Sequence, residues 1–346
     1  MAPSARRPVA SEPGLAGPEE GRWAALAGPG HVVGVDIGGT MMKAVATGPD
    51  GRVVLRRRSP TPVTEGPEAV LRGALKLVED LRADVRTKAA DDVAGVGLAV
   101  PGIVDEARGV SRWAVNLGWR DLDVARVAAE ALGLPVWLGH DVRLGGVAEG
   151  ALGAGGGARD FLFVPVGTGI AAAVVLDGQA RSGVDGLAGE IGHFVVAPGG
   201  PLCRCGAKGC LEALASASAL ARLYRERKAG TEAAVSSRSW PDAAGVLALA
   251  RGGDPVAGEI WADAISHLGR ALAAAQSLLD VELIVVGGGL ANAGESLLRQ
   301  IEAALSPLLP IQHVPRIALA QLGDEAAGLG AALLARSATP AHGSGP

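Results

Sequence analysis

An α/β chain built from one unit used twice is what this sequence predicts, on three observations. Apolar strand-like runs alternate with segments of helical periodicity along most of its length. The stretch FLFVPVGTGIAAAVVLDGQA repeats the strand, Gly/Thr turn, strand and glycine turn of VVGVDIGGTMMKAVATGPDGRV, an internal duplication of supersecondary structure. Glycine, at 52 residues, gathers in such turns and so reads as tight turns and ligand loops.

Residues 1–30 are rich in Pro, Gly and Ala without a periodic apolar face, which reads as a mobile leader. From His31, HVVGVDIGGT reads as a buried strand ending in a glycine turn, and MMKAVAT as a second strand. Pro49-Asp50-Gly51 turns the chain into a third, RVVLRRR. Pro67 opens a helix to about Arg86, with Val70, Leu71, Leu75, Leu77, Val78 and Leu81 at near-helical spacing. VAGVGLAV is a buried strand stopped by Pro101-Gly102, and a helix over Val124–Leu132, a strand over Pro135–Leu138 and a helix from about Val142 follow. After the repeated hairpin come a helix over Asp254–Leu279, a strand over Glu282–Val286, a helix over Glu295–Leu305, a strand over Arg316–Ala320 and a last helix over Glu325–Ala335. This alternation predicts layered, largely parallel sheets. The expected division is a smaller N-terminal lobe over 31–138, completed by the C-terminal helix 325–336. A larger lobe over 139–324 and a flexible tail over 337–346 make up the rest.

Composition narrows the function. A chain of 346 residues with 49% hydrophobic and 20% charged residues can pack two cores. Its net charge of −4, without a basic stripe, argues against nucleic acid as main partner. No apolar stretch approaches the roughly 20 residues of a membrane span, and no signal-peptide pattern opens the chain, so a cytoplasmic protein is expected.

The three cysteines, Cys203, Cys205 and Cys210, share one short window and cannot build a disulfide framework. With His193 they offer three thiolates and an imidazole, a closed tetrahedral set suited to structural zinc with no open position for chemistry. Two turns, Asp36-Ile37-Gly38-Gly39-Thr40 and Gly167-Thr168-Gly169, sit at matching points of the duplicated halves. Glycine lets backbone N–H groups approach phosphate oxygens, and threonine adds a hydroxyl; as a pair across a cleft they favour phosphate clamping over ordinary hairpin turns. Asp36 ends a buried strand, where a magnesium ion would account for its carboxylate. Gly287-Gly288-Gly289 closes an apolar strand and is open to two readings, a surface for adenine or ribose or close helix–strand packing. Asp141 follows the strand Pro135–Leu138, where α/β proteins put their ligand crevice, but it could equally cap the next helix. Glu190 and Glu212 flank the metal ligands in sequence, and Asn116 in AVNLGW suits a hydroxyl ligand or a loop-shaping residue.

These pieces together resemble the ROK family of the actin-like ATPase superfamily: DIGGT, AVPGIVD, NLGW, the His-Asp of GHDVRLGGVAEG, GTGI, AGEIGHFVV, CRCGAKGCLE and VVGGGL, from about Val32 to Leu334. The resemblance implies an actin-like ATPase (ribonuclease H-like) duplicated fold, two lobes around a central cleft, and an ATP-dependent sugar kinase. It implies Asp36, Gly38, Gly39 and Thr40 as the first phosphate motif, Gly167, Thr168 and Gly169 as the second, and Gly287–Gly289 as the adenosine motif. Asp141 matches the catalytic base, and Asn116, His140, Glu190, His193 and Glu212 match sugar ligands, with His193 also holding zinc. ATP, magnesium and structural zinc are the implied cofactors, and a homodimer or homotetramer the implied assembly. Glucose, phosphorylated at its 6-hydroxyl, is the expected substrate, ahead of N-acetylglucosamine or N-acetylmannosamine and then fructose.

The sequence departs from the family where His140 replaces a common Asn, where Ala171–Ala173 replaces glycines, and where Lys43 is displaced from a position often basic in relatives. ROK repressors place a winged helix-turn-helix, of on the order of 60 residues or more, before the kinase-like part. The segment before His31 is too short and aperiodic for one, so a kinase is expected over a repressor or a non-catalytic sugar sensor.

Overall fold

Residues 23–229 and 240–339 are described by a computed structural model. Strands β1 (His31–Ile37), β2 (Met41–Thr47), β3 (Val53–Pro60) and β4 (Val93–Val100) precede a small antiparallel sheet of β5 (Ile103–Asp105), β6 (Val110–Ala114) and β7 (Trp119–Leu122). After β8 (Val136–His140) come β9 (Phe161–Pro165), β10 (Ala173–Leu176), β11 (Gln179–Ala180), β12 (Leu283–Gly287) and β13 (Arg316–Leu319). The helices are α1 (Pro67–Ala89), α2 (Val124–Leu132), α3 (Asp141–Leu152), α4 (Leu211–Ala215), α5 (Ala217–Ala229), α6 (Ala243–Arg251), α7 (Pro255–Leu279), α8 (Glu295–Leu305) and α9 (Ala326–Ala338).

The duplication read from the sequence is visible in the topology. One five-stranded sheet runs β3-β2-β1-β4-β8 and the other β11-β10-β9-β12-β13, so corresponding strands hold corresponding places. In both, the hairpin side is antiparallel and the other side parallel. The sheets are therefore mixed and not largely parallel, because each Gly/Thr turn closes a hairpin and only the helical crossovers give parallel neighbours. The strands β1, β4, β9 and β12 are almost wholly buried, as central strands covered on both faces should be. Edge strand β3 turns Arg56, Arg57 and Arg58 outward, where charge discourages further strand pairing.

Helix α9 lies on β1 and β4 and against α3. A methyl group at Gly34 or Gly97 would run into the backbone of Gly328 or Ala331, so bare glycines allow helix and sheet this close together. The helix runs to Ala338, two residues into the expected tail, and Arg336, 7% exposed, donates to the carbonyls of Pro29, Gly30 and Gly48. Those bonds hold residues 23–30, which the sequence assigned to the leader. Leu26 there is fully buried with Val32, Leu329 and Leu333, and the rest of that leader, residues 1–22, lies outside the described residues. Strand β8 runs two residues past the expected Leu138 and carries the chain directly into α3. Among the described residues no helix is long and apolar enough to cross a membrane.

Candidate active site

Strands β1, β4 and β8 are parallel neighbours, pairing Asp36 with Ala99 and Val100 with His140. Asp36 and the His140–Asp141 junction thus stand at the same carboxyl edge, two strand spacings or about 10 Å apart. Asp36 is pushed up to about 7, first by burial and then by the negative charge of Asp141, against the pull of Lys43, with Asp324 adding to the rise. Lys43 stands across the hairpin from Asp36, its Nζ 3.9 Å from the Asp36 carboxylate and 3.6 Å from that of Asp324. Three carboxylates, Asp36, Asp141 and Asp324, and the ammonium of Lys43 form a place where a metal–phosphate complex would relieve the crowded negative charge.

The capping question at Asp141 is settled against the simpler reading. His140 is the N-cap of α3: its Nδ1 accepts from the Arg143 backbone N–H at 3.4 Å. Asp141 is the first helical residue, its Oδ1 accepting from Val142 N–H at 2.7 Å, and its side chain stays 26% exposed. Accepting through Nδ1 leaves the proton of the neutral imidazole on Nε2. Burial holds His140 below the usual histidine range, opposed by Asp141.

Asn116, exposed in a short turn after β6, packs on the first phosphate turn, since a Cβ at Gly39 would lie 3.1 Å from the Asn116 Cβ. Glu190 is near enough to His140 to act on its charge and lies 3.8 Å from His193 Nε2. The other nitrogen of His193, Nδ1, is 3.6 Å from Cys203 Sγ, and Cys205 and Cys210 are 3.6 Å apart. The four ligand atoms lie within 4.8 Å of one another. A tetrahedral ion with metal–sulfur bonds of about 2.3 Å separates its ligands by about 3.8 Å, so the set fits a metal ion. Burial and the adjoining thiols push Cys210 up to about 12, and three thiols so close ionise together only when a cation joins them.

Glu212, in α4 just after Cys210, accepts from Ile170 N–H at 3.0 Å and so reaches from the cysteine loop to the second Gly/Thr turn. That turn is pinned from two further sides: Ala217 N–H donates to Gly167 O at 2.8 Å, and Leu290 N–H to Val166 O at 3.0 Å. Thr40 and Thr168 are both exposed. In the glycine run, close packing accounts for two residues and leaves the third open. Gly287 packs against Phe163, and Gly288, at φ +74°, lies where a Cβ would meet the Val166 backbone at 2.6 Å. Gly289 faces open space and borders a cavity of about 450 Å³ with Leu247, Arg251, Leu290 and Asn292. Of the alanines that replace family glycines, Ala172 and Ala173 are buried, the latter beside Gly146 of α3.

Asp36 and His140 feel the charges of Asp141 and Glu190 respectively, Glu190 lies beside His193, which meets the cysteines, and Glu212 bonds to the second Gly/Thr turn at Ile170. Sequence reading noted Lys43 without giving it a site role and passed over Asp324, Glu106 and Arg143. Lys43 was legible, because a hairpin turning at Gly38–Thr40 pairs residue 36 with 43. Asp324 and Glu106 were not, since they reach the site across the fold.

The ROK family model matches residues 32–338. A glucokinase of Halalkalibacterium halodurans is 33% identical over 316 residues, covering 88% of this chain and 94% of its own. An N-acetylmannosamine kinase of Salmonella heidelberg is 33% identical over 308 residues, covering 88% and 98%. The crystal structure of a ROK family glucokinase from Streptomyces griseus in complex with glucose and AMPPNP superposes with a TM-score of 0.73 at 32% identity, covering 89% of this chain and 100% of that one.

Proposed function

The chain belongs to the ROK family, and from that premise we propose that it transfers the γ-phosphoryl group of ATP to the 6-hydroxyl of glucose. It is an ATP-dependent sugar kinase with the actin-like two-lobed fold. The observation that carries the mechanism is Asp141, free of the capping role, half-buried at the carboxyl end of β8 and close enough to Asp36 to act on its charge.

Asp141 accepts the proton of the sugar hydroxyl as its oxygen bonds to the γ-phosphorus. The bond from that phosphorus to the bridging oxygen breaks, and ADP leaves with the electron pair. Asn116, His140, Glu190, His193 and Glu212 hold the sugar hydroxyls, and in a neutral His140 Nε2 is the donor. The turns Gly38–Thr40 and Gly167–Gly169 hold phosphate oxygens through backbone N–H groups and the hydroxyls of Thr40 and Thr168. Gly289 and its cavity take the adenosine, while Gly287 and Gly288 keep that wall close to the sheet. Asp36, directly or through water, would hold magnesium, which when bound supplies charge neutralisation for the transferring group. His193, Cys203, Cys205 and Cys210 would hold a structural zinc ion that fixes the sugar-binding loop. His193, turned to the thiols by Nδ1 and to Glu190 by Nε2, joins that ion to the sugar site.

The N-acetylmannosamine kinase relative supports a second reading, an N-acetylhexosamine as substrate. A coupled ADP-release assay over a hexose panel separates the two. The proposal expects the highest kcat/KM with glucose. A higher value with N-acetylmannosamine or N-acetylglucosamine overturns the choice of sugar, and no ADP release with any sugar overturns the kinase reading.

A further inference from the structure

Arg143 and Glu106 take no part in the scheme above, yet they hold the backbone that carries Asp141. Glu106 follows β5 in the small sheet. Its Oε1 accepts from two donors, the His140 backbone N–H and Arg143 Nε, each at 3.0 Å. Arg143 N–H in turn donates to His140 Nδ1, so residues 106, 140 and 143 close a ring of hydrogen bonds. The first N–H groups of a helix have no partner within it and leave its first turn free to fray. Here the N–H groups of His140, Val142 and Arg143 are all engaged, by Glu106, Asp141 and His140 respectively.

The same guanidinium reaches across to the other half of the molecule. Arg143 Nη1 donates to the carbonyl of Gly186 at 3.0 Å, four residues before Glu190. Arg143 is 2% exposed, its Nη2 is buried without a partner, and Glu106 is its one carboxylate among the described residues. A cation placed this deep, bonded on one side to the segment that carries the base and on the other to the segment that leads to the sugar ligands, fixes the distance between them.

We propose that Glu106 and Arg143 are positioning residues for the phosphoryl transfer: together they set Asp141 against the attacking hydroxyl and tie α3 to the loop that precedes Glu190. The inference rests on the kinase reading of the site. Displacement of a reacting group by about 1 Å costs on the order of 10²-fold in rate, so the effect belongs in kcat.

The test compares Glu106→Gln, Arg143→Met and the double variant. It measures kcat at saturating glucose and ATP, KM for ATP, glucose binding by calorimetry, and the melting temperature. Each single variant is expected to lose on the order of 10²-fold in kcat with the KM for ATP within about threefold of wild type. The double variant, which buries no unpaired charge, is expected to recover melting temperature but not turnover, and to be no slower than the slower single variant. Turnover near wild type in the folded double variant would leave the pair a purely structural bridge and overturn the proposal, as would kcat losses that simply multiply. Wild-type protein without kinase activity would fail the functional reading itself, a result seen before any variant is made.

Discussion

Replacing Asp36 by Asn tests the electrostatics of the site in a form that needs no substrate. The Asp36 carboxyl is raised from an ordinary 3.8 to about 7, burial first and the charge of Asp141 second. An acid with a higher pKa in the fold than in the unfolded chain binds protons preferentially in the fold between those two values. Stability owed to this group is therefore present at low pH and is lost as pH rises from about 4 through about 7. At pH 8 the ionised side chain destabilises the fold by roughly 4 kcal/mol at most. Asn cannot ionise, so Asp36→Asn escapes that cost, although Lys43 loses a carboxylate 3.9 Å away and returns part of the gain. The variant should melt only slightly above wild type at pH 5 and several degrees above it at pH 8, since each kcal/mol is worth about 1–2 °C in a chain of this length. Thermal unfolding followed by calorimetry at both pH values is the assay. Magnesium-ATP should raise the melting temperature of wild type at pH 8 far more than that of the variant, because the same carboxylate is the proposed metal ligand. A melting difference between variant and wild type that is equal at pH 5 and pH 8 would refute the assignment of Asp36 as a crowded, half-protonated carboxyl.

Two further outcomes follow from the geometry. Cys205→Ala, at an exposed member of the cysteine set, should lower zinc from about one per chain in elemental analysis and weaken sugar binding more than ATP binding, because one tetrahedral ligand is gone; full metal content with unchanged sugar affinity would contradict it. Thr40→Val and Thr168→Val should each raise the KM for ATP and spare sugar affinity measured by calorimetry, whereas a change confined to sugar affinity would separate the two turns from the nucleotide.

The fold was legible where the signals were local. Pro67 at the start of α1 and Asp254 capping α7, its carboxylate accepting from Ala257 N–H at 2.9 Å, mark helix ends in the sequence itself. The hairpins of β1–β2 and β9–β10 showed as apolar runs broken by Gly/Thr turns. The small sheet β5–β7 did not: its strands are three to five residues long, too short for a period. Helix α5, with the run Arg-Leu-Tyr-Arg-Glu-Arg-Lys, lacks a continuous apolar face and is held through Leu220 and Tyr224 in the core of the second half. In the site, the cysteines were legible because all three ligands lie together in the chain. Glu106 and Arg143 stand 37 residues apart, and their ion pair depends on how β5 is laid against β8, which no local pattern records.

The central claim is that Asp141 is the base of a sugar kinase, and Asp141→Asn tests it most directly. Asn keeps the size of the side chain and can still accept from Val142 N–H through its amide oxygen, so α3 should keep its first turn. It cannot take a proton. The account predicts turnover with glucose and ATP lower by roughly 10²–10⁴-fold, with sugar binding by calorimetry within about tenfold of wild type. Near-normal turnover in the folded variant would contradict it.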